Sequence, residues 1–332
     1  MAAGGRRGNM ELIFTTPGTY LNVKDGLFAI SSDNKKTTIS PAKVERIILT
    51  TEAVITTAVI QLTAEHNIDL VILDRSGEPV GRFWHSRFGS ITTIRRKQLE
   101  LNMNDEGLDH AKEWIIAKLG NQTDFCKELA KNRENLHDRV LEKLSTIEAN
   151  KQKISALAGK VDEKRGSITG LEGSASKVYF DILALCMPER YRFDCRSRQP
   201  ARDPFNAFLN YAYGVLYSLV EKACIIAGLD PYIGFLHTDN YNKPSLVFDI
   251  IENFRIYADR VVFRLFSKKM INDKMVDKIP KGYSLNKEGK RLLFDEYNKY
   301  LGTVVRYGNK NMSRTNTVQA LCHKFANSLI EE

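Results

Sequence analysis

The stretch Asp69-Leu70-Val71-Ile72-Leu73-Asp74 decides how the N-terminal part of this chain is built. Four aliphatic residues between two aspartates leave no polar face, so the segment reads as a short strand covered on both sides. Arg75-Ser76-Gly77 turns the chain, and 79–84 returns as a second strand. Upstream, strands at 19–23 and 27–31 flank Lys24-Asp25-Gly26, where glycine supplies the positive φ of a hairpin turn. Strands at 38–40 and 44–50 continue the pattern. Residues 56–66 break it with helical spacing, placing Val59, Ile60, Leu62 and Thr63 near one face. Short strands at roughly 8–12-residue intervals predict a small sandwich or a compact mixed sheet.

From Thr93 the period becomes helical. Residues 109–119 are amphipathic, with Trp114, Ile115 and Leu119 on one side. A long helical stretch with one break follows over 124–157, closed by Gly166, and a new helix runs over 168–186 to Pro188. Residues 205–227 are apolar and tyrosine-rich, with Gly228 as the expected terminating glycine. Further helices are expected over 245–266, 286–301 and 315–330. The fold class is therefore α+β: an N-terminal β-sandwich-like domain over 10–94, then a larger all-α domain over 95–332. Residues 1–9 read as a leader or vector-derived remnant.

A length of 332 residues suits two domains at roughly 100–200 residues each, and 43% apolar residues exclude a disordered chain. The five cysteines form no C-x-x-C pair, which argues against a disulfide framework and a thiolate zinc site. No run approaches the ~18 apolar residues of a membrane span. MAAGGRRGN has no apolar segment behind its arginines, so a cytoplasmic protein is expected. The net charge of +9 is unevenly placed: 10 basic and 9 acidic residues through Ile94, against 39 and 31 beyond it. A polyanion partner would meet the second part, although lysine-rich helical surfaces also serve solubility.

Three segments set ionisable groups among small or apolar neighbours. In 167–176, SITGLEGSAS, Glu172 stands among small residues that let a ligand or another backbone approach; it could equally complement a helix N-terminus. In Gly234-Phe235-Leu236-His237-Thr238, an imidazole follows an apolar run and precedes a polar loop at 239–243; it could be a metal ligand, a base or a hydrogen-bonded structural group. In 245–255, SLVFDIIENFR, Asp249 and Glu252 share a helix face and would repel unless a cation sits between them. That cation is either Arg255 or a divalent metal. Carboxylates with one imidazole suit Mn²⁺ or Mg²⁺. Such a metal fits phosphodiester chemistry, in which charge on the phosphoryl oxygens must be neutralised. Arg165, Arg190, Arg196, Arg198 and Arg202, with Tyr191 and Phe193 interleaved, are candidate DNA contacts, or else a solvated loop. Lys268, Lys269, Lys274, Lys278 and Lys281 form a second basic stretch.

Taken together, GLEGSASKVYF (170–180), DPFNAFLNYAYGVLY (203–217), GFLHTDNYNKPSLVFDIIENFR (234–255) and SLNKEGKRLL (284–293) resemble the CRISPR-associated adaptation integrase, the "Cas-one" endonuclease family. The opening TYLNVKDGLFAI and DLVILDRSGEPVGRF are similar to its N-terminal β domain. The resemblance implies metal ligation by Glu172, His237 and Glu252, the last often Asp in other members, with Asp249 in support. It further implies a homodimer joined through the β domains, two such dimers clamping a dimer of the small "Cas-two" partner as a heterohexamer. Double-stranded spacer DNA would be joined through its 3′-hydroxyls to the repeat ends of a CRISPR array. A stand-alone metal-dependent nuclease acting on branched DNA in repair, or a scaffold with a lapsed site, are the competing readings.

Overall fold

The computed structural model describes residues 10–32, 35–75, 77–83, 92–102, 105–131, 133–237 and 243–330. Residues 1–9, expected to be a leader, and residues 84–91 and 238–242 lie outside them. The N-terminal region carries β1 (Met10–Phe14), β2 (Thr19–Lys24), β3 (Leu27–Ser32), β4 (Lys35–Ile39), β5 (Val44–Leu49), β6 (Ala53–Ile55), α1 (Thr57–Glu65), β7 (Asp69–Leu73) and β8 (Pro79–Phe83). These make two four-stranded mixed sheets, ordered β1-β5-β7-β8 and β4-β3-β2-β6. In the first, β1, β5 and β7 run parallel and β8 antiparallel. In the second, β2 and β3 form a hairpin through Asp25 (φ 51°) and Gly26 (φ 71°), the paired positive φ values of a two-residue turn.

Side-chain alternation gives the first sheet two interiors. Ile47, Leu49 and Leu70 face a core shared with Leu21 and Phe28 of the second sheet and Val59 of α1. Ile48, Val71 and Leu73 face the helices and join the larger core there. The aliphatic run 70–73 of β7 is thus covered on both sides, as its sequence requires.

The helical region contains α2 (Thr92–Asn102), α3 (Glu106–Lys131), α4 (His137–Ser155), α5 (Val161–Cys186), α6 (Pro204–Ala227), α7 (Ser245–Ile251), α8 (Arg255–Ser267), β9 (Val276–Ile279), β10 (Gly282–Leu285), α9 (Lys287–Gly302), β11 (Val304–Tyr307), β12 (Lys310–Ser313) and α10 (Arg314–Ser328). An N-terminal β-rich region followed by a mostly helical one is the α+β class read from the sequence. The buried α6 begins where Asp203 accepts the Asn206 amide at 2.8 Å, with Pro204 in the first turn, and ends at Gly228 in the left-handed region (φ 85°).

Some expected boundaries change. α3 runs unbroken through 119–124, and the helix is interrupted at 133–136, before α4. Gly166 lies inside α5; its helix cost of about 1 kcal/mol is outweighed by Val161, Ile168 and Ala175, all fully buried. The helix expected over 245–266 is two, because the Asn253 side-chain amide donates to the Ile250 carbonyl at 3.2 Å and competes with the backbone ladder. Two short hairpins, β9–β10 and β11–β12, were unexpected.

Polar and steric contacts fix the seam between sheet and helices. Arg82 binds Asp69 at 2.8 Å, the Ser218 carbonyl at 2.8 Å and Glu221 at 2.7 Å. Gly214 of α6 lies so close to the β7–β8 turn that a Cβ there would be 2.1 Å from the Gly77 carbonyl oxygen. No described helix is long and apolar enough to cross a membrane.

Candidate metal centre

Glu172 lies mid-way along α5, and Glu252 follows the last turn of α7. Lys118 of α3 brings them together: its ammonium contacts Glu172 Oε1 and lies 2.5 Å from Glu252 Oε2. Ser176, one turn beyond Glu172, donates its hydroxyl to Glu172 Oε1 at 2.6 Å. Arg255 holds the other oxygen of Glu252, Nε to Oε1, at 2.7 Å. Burial pushes the Glu252 carboxyl upward, but Arg255 and Lys118 outweigh it and hold its pKa at about 2. The glycines at 170 and 173 meet no atom within 4 Å of where a Cβ would stand. Among the described residues these two glycines therefore face open space, whereas Ala175 is fully buried in the core.

His237 is built differently. Gly234 permits the approach of its loop to α7, since a Cβ there would be 2.6 Å from the Ser245 carbonyl carbon. Asp249, fully buried on α7, accepts the backbone N–H groups of Phe235 at 2.6 Å, Leu236 at 3.1 Å and His237 at 3.0 Å. Its Oδ1 also meets His237 Nδ1 at 2.6 Å. A carboxylate accepts, so Nδ1 takes the donor role, which leaves Nε2 as the nitrogen that could ligate. Arg165 of α5 braces the same loop, donating to the carbonyls of Leu236 at 2.9 Å and Phe235 at 3.1 Å.

The expected ligands thus stand in two groups: Glu172 with Glu252 on Lys118, and His237 on Asp249. Asp249 and Glu252 do not share one cation; the first is spent on the loop and the second on Arg255 and Lys118. Among the described residues no three His, Cys, Asp or Glu side chains form a ready cluster. The donor set nonetheless fits a hard divalent cation. Two carboxylates, one on α5 and one just beyond α7, already converge on one positive charge, and among the described residues the buried Oε2 of Glu252 meets no polar group but the Lys118 ammonium.

Behind the site, Tyr213 and Tyr179 donate to the fully buried Asp259 at 2.5 and 2.8 Å. Burial raises the Asp259 pKa despite these two donors and nearby Arg255. The Tyr213 ring carries Arg255 at 4.7 Å and Arg196 at 5.4 Å from its centroid. Arg196 also binds Asn206 Oδ1 at 3.0 Å, so it is spent on packing, as Arg165 is on the loop. Arg190 pairs with Asp273 at 2.9 Å on the surface. Arg198 and Arg202 are exposed, and no described acidic side chain pairs with them.

Lys118, Ser176 and the Tyr213–Asp259 pair were not anticipated. For Lys118 a signal exists: it falls one turn from Trp114, Ile115 and Gln122, on the buried face of α3. A lysine there requires a partner.

The model of the family described as CRISPR associated protein Cas1 matches residues 12–299. A "CRISPR-associated endonuclease Cas1 1" of Archaeoglobus fulgidus is 34% identical over 324 residues, 93% of each chain. The chain belongs to the Cas1 family. A Cas1 protein of Thermotoga maritima superposes with a TM-score of 0.81 at 24% identity, covering 97% of this chain and 98% of that one. A casposase bound to integration product superposes at 0.82 with 23% identity, covering 96% and 91%. The Cas1 fold thus extends over both the β-rich and the helical regions.

Proposed function

We propose that this Cas1-family chain is a cytoplasmic, divalent-metal-dependent DNA endonuclease and integrase of CRISPR adaptation, joining spacer 3′-hydroxyls to repeat ends. The observation that carries the reading is the convergence of Glu172 and Glu252, from different helices, on a single cationic position. Glu172, Glu252 and Nε2 of His237 would hold Mg²⁺ or Mn²⁺, which supplies neutralisation of the charge that develops on the scissile phosphoryl oxygens. Arg255 orients Glu252, Ser176 orients Glu172, and Asp249 fixes the imidazole so that Nε2 is directed away from its own anchor. Arg165 keeps the His237 loop in register. Arg198 and Arg202 offer bidentate phosphate contacts to duplex DNA. No side chain here need act as nucleophile, because the attacking oxygen belongs to DNA or water. The homodimer, and a heterohexamer with a small Cas2-type partner, are part of the same reading and come from the family likeness.

A joining assay tests it, with a 3′-hydroxyl duplex, a CRISPR-repeat target, Mn²⁺ or Mg²⁺ and the small partner. Strand-transfer products that disappear in Glu172→Gln and His237→Ala are expected. Hydrolysis without joining would transfer the chain to the nuclease class acting on branched DNA; neither product would leave a lapsed site.

A further inference from the structure

Lys118 occupies the position at which the two site carboxylates meet, and its side chain is only 8% exposed. We propose that Lys118 is a built-in counterion: a positioning residue that keeps Glu172 and Glu252 together in the metal-free protein and surrenders its place when a divalent cation binds. The inference rests on the reading of Glu172 and Glu252 as metal ligands.

Charge and space both lead there. Glu172 and Glu252 bring two negative charges, and Lys118 and Arg255 bring two positive ones, so the buried set is neutral without a metal. A divalent ion added to it would leave two uncompensated charges in a site where Glu252 is 5% and Arg255 15% exposed. A carboxylate–metal bond is about 2.0–2.3 Å long, and Lys118 Nζ already lies 2.5 Å from Glu252 Oε2. Ion and ammonium cannot both occupy that approach. Of the two cations, Arg255 is the fixed one, with its fork on Oε1 at 2.7 Å and its guanidinium over the Tyr213 ring. Lys118 is a point charge on a flexible stem, and no aromatic ring holds it among the described contacts. Lysine and metal therefore compete for the same oxygens. Removing the lysine raises metal affinity, whereas a lysine that merely supported the fold would lower it or leave it unchanged.

The experiment titrates Mn²⁺ into the full-length wild type, Lys118→Met and Glu252→Gln by calorimetry, and follows thermal unfolding with and without Mn²⁺. Lys118→Met is expected to bind Mn²⁺ at least about tenfold more tightly than wild type. Its metal-free Tm falls below that of wild type, because two carboxylates then face each other unpaired, and Mn²⁺ raises its Tm by more. Equal or weaker Mn²⁺ binding by Lys118→Met, with binding lost in Glu252→Gln, overturns the role of Lys118 and leaves the metal site standing. Wild-type affinity in Glu252→Gln overturns the ligand reading and the role of Lys118 with it. Should Lys118→Met fail to fold, Lys118→Gln, also neutral but able to donate to both carboxylates, is expected to show the same tightening.

Discussion

Removing the Glu252 carboxylate would take from Arg255, 15% exposed, its carboxylate partner and leave Lys118 with Glu172 alone. Breaking a buried pair from one side costs about 3–5 kcal/mol, so Glu252→Ala should lower the unfolding free energy by that order in urea titrations. Glu172→Ala should cost about 1 kcal/mol, since its side chain is 20% exposed and Lys118 would retain Glu252. The acid limb carries the same signature. Glu252 titrates at 4.5 when unconstrained and is held at about 2 in the fold. A carboxyl lowered by folding contributes its full stability above the unfolded value and loses it as pH falls through the folded one. The stability gap between wild type and Glu252→Gln should therefore narrow from about pH 4.5 down to about 2; a gap constant across that window would contradict the ion-pair account. Glu172, His237 and Glu252 stood out because each breaks a run of small or apolar residues, while their joint role as ligands was implied by the family resemblance. Lys118 was missed although it falls on the apolar face of α3, because its partners stand 54 or more positions away and a lysine taken singly reads as surface.

At the scale of elements, periodicity located nearly every long helix, because buried faces repeat at helical spacing over many residues. It failed where side chains overrule the backbone or where elements are short. At the split between α7 and α8 the Asn253 side-chain amide and its own backbone N–H both take the Ile250 carbonyl at 3.2 Å. β9–β10 and β11–β12 have strands of four residues each, too short for alternation to register, and their turns use Lys281 (φ 69°) and Gly308 (φ 56°). The seam offers the sharper test. Gly214→Ala would place a methyl 2.1 Å from the Gly77 carbonyl oxygen, so α6 or the β7–β8 turn must shift. Overpacking of this kind costs about 1–3 kcal/mol. The loss should appear in chemical unfolding, while Gly302→Ala, with no atom within 4 Å of its Cβ position, should leave stability within about 0.5 kcal/mol or raise it. Equal losses at both positions would contradict the close packing of the seam.

For the whole molecule, the arginines divide by what already holds them. Arg196 is engaged by Asn206, Phe180 and Tyr213, whereas Arg198 and Arg202 are exposed. Replacing Arg198 and Arg202 by Gln should weaken duplex binding and flatten its salt dependence by about 0.9 in log–log slope per lost contact, measured by fluorescence anisotropy. Arg196→Gln should instead lower stability, with little change in that slope. The proposed homodimer is constrained in the same way. One face of the first sheet is covered by this chain's own helices, so a partner must use another surface. Tyr20 and Val54, paired across β2 and β6, are 41% and 56% exposed. Val54→Lys should shift sedimentation toward the 37.7 kDa monomer if that surface makes the contact.

β5 and β7 send side chains into both interiors, so the sheet they form is a party wall rather than an outer one. Cooperativity follows from such a wall. If the β-rich region melted alone, the helices would be left with a bare apolar face once lined by Ile48, Val71 and Leu73; if the helices melted alone, Arg82 would lose Glu221 and the Ser218 carbonyl. Neither half has a comfortable state without the other. Scanning calorimetry should show one transition in which the van't Hoff and calorimetric enthalpies agree. Cutting the chain between Phe83 and Thr92 should yield two insoluble fragments instead of two modules, and for an engineer this chain is a single part.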